Sequence, residues 1–145
     1  MTVRLSSETL HASAVALDGR AVLICGPSGA GKSDLSLRLI DRGFTLVSDD
    51  QTIVHKQGEQ LIASAPATIA GKLEIRGIGI VDMPTAADIP VALVVELASE
   101  LQRLPDNSPE RLILGLAIPL VGVDPMTASA AAKVAVALDR FGLRA

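Results

Sequence analysis

Eight consecutive residues, Gly26-Pro27-Ser28-Gly29-Ala30-Gly31-Lys32-Ser33, have the types and the spacing of a phosphate cradle, G-x-x-x-x-G-K-[ST]. Glycines let the backbone curl until successive N–H groups point inward, and a helix beginning at the loop's end adds positive partial charge. Lys32 is placed to reach the outer phosphates, and the Ser33 hydroxyl to ligate magnesium. Asp34, the next residue, is counted with the binding run. A nucleoside triphosphate or another polyphosphate is the expected guest.

Five further residues have types that could act on bound phosphate. Asp49 and Asp50 are adjacent acids, and two jobs exist for acids in such a site: holding magnesium and accepting a proton from an incoming nucleophile. His11 could assist proton transfer, because histidine is the side chain that ordinarily changes charge near neutral pH. Glu74 and Arg76 read either as a magnesium ligand and a phosphate-binding cation or as an ion pair across one strand face. His55 sits in a hairpin strand and is read as an exposed bystander; Lys72, Arg103 and Arg111 are read as surface charges.

Elements must position these residues, and the chain supplies them in a workable order. Ala21 to Cys25 is an apolar run that reads as a strand buried on both faces. Lys32 to Arg42 has helix-forming composition, with Asp34 and Arg38 four apart and Gly43 at the C-terminal end. The spacing thus predicts strand, glycine loop and helix. Upstream, Thr2 to Leu17 holds a strand or two, with Val3 and Leu5 in the first, and Asp18-Gly19 is a hairpin turn. That turn would pair Leu17's strand antiparallel with the loop strand and place His11 on a neighbouring strand.

Downstream, Phe44 to Val47 is a short strand ending in Ser48-Asp49-Asp50, where ligands of open α/β sheets bind. Thr52 to Lys56 and Gln60 to Ala63 form a hairpin around Gly58. Leu73 to Arg76, if extended, puts Leu73 and Ile75 on one side and Glu74 and Arg76 on the other. Pro84 to Pro90 is a loop, Val91 to Val95 a buried strand, and Glu100 to Arg111 an exposed connection. Leu112 to Leu114 and Ala117 to Val121 resume strand character. The last helix is expected to start with Asp124 as N-cap and Pro125 at its first position, with Met126, Ala130, Val134, Ala137, Leu138 and Phe141 on its apolar face.

Composition narrows the function classes. The chain has 145 residues and a net charge of −3, and its only aromatics are Phe44 and Phe141. Nucleic acid is therefore not an expected main partner, since little is present for bases to stack on. Cys25 is the single cysteine, expected to be a core thiol, so no internal disulfide is possible and a reducing cytoplasm is the expected home. No membrane segment is expected: the longest apolar run, Leu112 to Val123, is short and contains Pro119. Residues 1–145 are read as a single domain of α/β class.

His11, GPSGAGKS, VSDD and LEIRGIGIVD, in that order, together resemble the catalytic domain of HPr kinase/phosphorylase, which phosphorylates a serine of HPr, the phosphocarrier of the bacterial sugar phosphotransferase system. The match runs from about His11 to Asp82. The resemblance implies a P-loop nucleotide-binding fold with a mixed sheet, similar to phosphoenolpyruvate carboxykinase, ATP and Mg2+ as cofactors, HPr or an HPr-like carrier as partner, and a homo-oligomer, a hexamer by family pattern. It also implies roles: Asp49 accepts the serine proton and returns it in phosphorolysis, with His11 helping; Asp50 and Glu74 join Ser33 in the metal network; Arg76 lines the site. The family's N-terminal domain is not found ahead of the signature, which looks like the compact alphaproteobacterial form. A basic stretch expected near Ala117 to Ala130 is missing, and the C-terminal helices look reduced to one. That reduction favours, as a second reading, a nucleotide-binding regulatory module that acts by contact. A third is a kinase of a small molecule or peptide.

Overall fold

The computed structural model describes residues 6–98 and 109–144. The sequence-predicted strand at Val3 and Leu5, most of the connection from Glu100 onward, and Arg103 lie outside the described residues. Within them the order is β1 Ser7–Leu10, β2 Ala12–Leu17, β3 Arg20–Cys25, α1 Lys32–Asp41, β4 Thr45–Ser48, β5 Thr52–Gln57, β6 Gln60–Ser64, β7 Lys72–Ile75, β8 Gly79–Asp82, β9 Ile89–Leu97, β10 Glu110–Ile113, β11 Leu116–Val123 and α2 Ala130–Phe141.

One mixed sheet runs β1-β5-β6-β9-β3-β2-β4, with β11 also on β9 and β10 on β11. The β3–β9 and β9–β11 pairs are parallel, while β2 is antiparallel to β3 with Leu17 opposite Arg20, as a turn at Asp18-Gly19 requires. β9 changes partners along one edge. Its first residues, Ile89 and Pro90, pair with β6, and Val94 to Leu97 pair with β11, so the sheet splits and curls there.

Alternation divides the apolar residues between two faces. Val15, Val22, Ile24, Leu93 and Val95 pack with Leu35 and Leu39 of α1 and Val134 and Leu138 of α2. Ala14, Leu23 and Val94 face the other way, onto Val54, Leu61 and Ile118 from the curled part of the same sheet. The central strands are thereby covered on both sides, which explains their unbroken apolar runs.

α1 behaves as its sequence predicts: Gly43 adopts φ +105° and donates to the Ile40 carbonyl, closing the helix. α2 does not begin at Pro125. Asp124 caps an isolated turn, its carboxylate accepting the Met126 N–H at 2.9 Å, and a second turn from Thr127 intervenes before Ala130. The reason is tertiary: Arg38 of α1 donates to the carbonyls of Pro125 (2.7 Å) and Thr127 (3.3 Å), holding that segment against α1 as a bracket. Met126 accordingly points out of the expected apolar face, 88% exposed, and Phe141 is also partly exposed.

Arg111 is the other correction. It belongs to β10, and its guanidinium is half-buried, donating to Cys25 Sγ at 3.2 Å. Burial pushes the Cys25 thiol above its usual range, against the opposing pull of Arg111.

Candidate active site

The glycine loop leaves β3 and enters α1 with its cradle formed. Gly29 and Gly31 sit at φ +81° and +107°, positions an L side chain resists. Lys32 is almost fully buried and donates to the carbonyls of Gly26 (2.8 Å) and Pro27 (3.1 Å), so its ammonium is held under the loop. An open cavity of about 560 Å³ begins there. Ser28 to Asp34 and Arg38 form one wall, Glu74, Ile75 and Arg76 another, and Pro125 and Met126 a third.

Asp49 and Asp50 follow β4 but go to different places. Asp49 is 8% exposed; its Oδ1 accepts from Ser33 Oγ at 2.7 Å and from Ser13 Oγ at 3.2 Å, and its Oδ2 accepts the Glu74 N–H at 3.1 Å. Asp50 stands at the cavity. Its Oδ1 lies 2.9 Å from His11 Nε2 and 3.8 Å from Lys32 Nζ. The His11 and Asp50 side chains are 47% and 57% exposed, so both remain reachable by a molecule arriving from outside.

His11 is not in a strand but is the single residue between β1 and β2. A residue at such a joint is free of both ladders, and its ring can turn toward the 49–50 turn. The partner it meets is Asp50, whereas the expected arrangement had it poise Asp49. Glu74 and Arg76 do not share a strand face, since β7 ends at Ile75 and Arg76 lies in the tight turn to β8. Both still line the cavity, because Leu73 is buried and anchors the hairpin beside α1.

A magnesium ion suits the donor set. Ser33 Oγ and the Asp49 carboxylate are hard oxygen donors already within hydrogen-bond reach beside the cradle, and Mg2+ characteristically takes one or two protein oxygens plus phosphate and water. Among the described residues no group of three or more His, Cys, Asp or Glu side chains could hold a metal by itself.

Sequence reasoning missed Ser13, Leu37 and the Pro125–Met126 wall. Ser13 had a signal: it is the only polar residue in the apolar run from Ala12 to Leu17. Pro125 and Met126 had none, because the bracket that brings them to the loop is made by Arg38 from 87 residues away.

Comparisons with known proteins converge. The family model described as the HPr Serine kinase C-terminal domain matches residues 4–141. An HPr kinase/phosphorylase of Limosilactobacillus reuteri is 37% identical over 133 residues, covering 83% of this chain and 42% of its own length. One from Chlorobium phaeobacteroides is 38% identical over 124 residues, covering 77% and 37%. The chain thus spans about two fifths of the length of these relatives. The solved structure of the Hpr(Ser) kinase/phosphatase from Coxiella burnetii superposes with a TM-score of 0.79 at 31% identity, covering 91% of this chain and 94% of that one. No helix among the described residues is long and apolar enough to cross a membrane.

Proposed function

Because the chain belongs to the HPr Serine kinase C-terminal domain family, we propose that it transfers a phosphoryl group from Mg2+-bound ATP to a serine of HPr or an HPr-like carrier, and carries out the reverse phosphorolysis. The observation that supports this most directly is the division of the two acids. Asp49 is buried on Ser33, the loop residue that would share a metal, and Asp50 is exposed at the cavity between His11 and Lys32.

Ser33 and Asp49 would hold the magnesium, which when bound neutralises charge on the phosphates. The loop amides and Lys32 then orient the triphosphate; Lys32 exchanges its carbonyl partners for phosphate oxygens. Asp50 accepts the proton of the attacking serine hydroxyl, and His11, hydrogen-bonded to the same carboxylate, keeps it aimed. The base is thus proposed at Asp50 and the metal ligand at Asp49, the reverse of the roles the resemblance implied. Glu74 and Arg76 contribute charge at the cavity wall. Positioning and electrostatics account for most of the catalysis in such transfers. Assembly as a homo-oligomer belongs to the same proposal and is read by sedimentation.

Intact-mass spectrometry of an HPr-like carrier from the same organism, after incubation with the protein, Mg2+ and ATP, tests the proposal. One added phosphoryl group, mapped to serine and absent with Lys32→Ala, is expected. ATP binding without any added mass, together with a stable partner complex, would replace the kinase by a contact-acting module. ATP consumption with a small hydroxyl acceptor alone would make it a small-molecule kinase.

A further inference from the structure

Ser13 is completely buried on the α1 side of β2, sharing that strand face with Val15. A buried hydroxyl without partners is costly. This one has two: it donates to Asp49 Oδ1 at 3.2 Å and accepts the backbone N–H of Asp50 at 3.0 Å.

The backbone it holds is strained. Asp50 has φ +65°, and the Gln51 N–H closes onto the Asp49 carbonyl at 2.7 Å, a three-residue turn of the rare positive-φ hand. The turn matters for where the carboxylates go. In an extended chain, neighbouring side chains leave on opposite faces. Here the reversal at Asp50 sends both acids to one end of the sheet, Asp49 onto Ser33 and Asp50 onto His11.

We infer that Ser13 is a positioning residue for phosphoryl transfer, its hydroxyl fastening the 49–51 turn so that the two adjacent acids take separate stations. The inference rests on the proposed function for its kinetic part. It needs no contact between Ser13 and any reactant. Without the hydroxyl, the Asp50 N–H loses its acceptor and Asp49 loses one of its three donors, which leaves the left-handed backbone held only by the Gln51–Asp49 backbone bond and the bond from the Ser48 hydroxyl to the Gln51 carbonyl. Asp50 then relaxes to negative φ and its carboxylate leaves His11.

Threonine and valine at position 13 form the test, because they bring the same extra bulk and differ only in the hydroxyl. The kcat of Ser13→Val is expected at least about tenfold below that of Ser13→Thr, part of the roughly 10²–10⁴ a positioned base supplies, with similar KM for ATP. In parallel, NMR backbone couplings at Asp50 should show positive φ in Ser13→Thr and negative φ in Ser13→Val. Equal kcat in the pair, or an Asp50 that stays left-handed in Ser13→Val, overturns the inference. Should neither bulkier variant fold, Ser13→Ala against the wild type carries the same two readouts. A wild-type protein that transfers nothing would count against the proposed function, and the Asp50 couplings would then decide the role of Ser13 alone.

Discussion

The Ser33 hydroxyl donates to the Asp49 carboxylate across 2.7 Å, joining the first turn of α1 to the end of β4. Residues 16 apart in sequence thereby form the edge of a phosphate cradle on which a divalent ion would sit. The neighbouring acid, Asp50, is left for other work.

The two acids should therefore fail differently. Asp50→Asn is expected to lower transfer by roughly 10²-fold or more while MgATP still binds, because it removes a proton acceptor. Asp49→Asn should instead raise the Mg2+ concentration needed for half-maximal rate. Steady-state kinetics across a magnesium titration, with calorimetric nucleotide binding, separates the two. A near-normal rate in Asp50→Asn would return the base to Asp49.

Nucleotide selectivity should be slight. Neither Phe44 nor Phe141 lines the cavity, whose apolar side chains among the described residues are Ala30, Leu37, Ile75, Pro125 and Met126. Apolar side chains make contact with any base, and discrimination without dedicated polar groups is worth about 1–3 kcal/mol at most. Competition between ATP and GTP is expected to show a preference no greater than the roughly 10–200-fold that such contacts allow; a larger preference would place an unrecognised polar contact at the base.

Arg38 is expected to matter for the site through the fold. Two of its nitrogens hold the Pro125 and Thr127 carbonyls, while its Nε lies 3.1 Å from Asp34 Oδ2. Charge-assisted hydrogen bonds of this kind contribute about 1.5–3 kcal/mol each, less where solvent reaches them. Arg38→Ala should lower stability by about 2 kcal/mol in a denaturant titration and loosen the Met126 wall, raising KM for ATP. An unchanged midpoint would show that the bracket stands without it.

The Cys25 thiol gives a pH signature. Burial raises its pKa in the folded chain, so above the unfolded pKa the folded state binds more protons than the unfolded one. Stability from this residue is therefore full below the unfolded pKa and is lost as pH climbs through the folded value. Denaturation midpoints should fall in that alkaline window, and fall less in Cys25→Ala. Slow reaction with a thiol reagent in the native protein is the companion result.

Much of this was legible in the chain itself. The glycine loop, its flanking strand and α1 are local constructions: glycine spacing, apolar run and helix end each act over a few residues, and Gly26 to Ser33 lies where these signals put it. Hairpin turns at Asp18-Gly19 and Gly58 likewise came from short-range chemistry. Tertiary structure decided which strands β9 would join, where α2 would begin, and that Pro125 and Met126 would wall the cavity. It also decided which acid faces His11. Asp49 and Asp50 are chemically the same in sequence, and only the strained turn fastened by Ser13 from another strand distinguishes them. Local signals specify the elements because their physics reaches a turn or two; the division of labour between two identical neighbours depends on hydrogen bonds 36 and 37 residues long, which exist only once the sheet has closed.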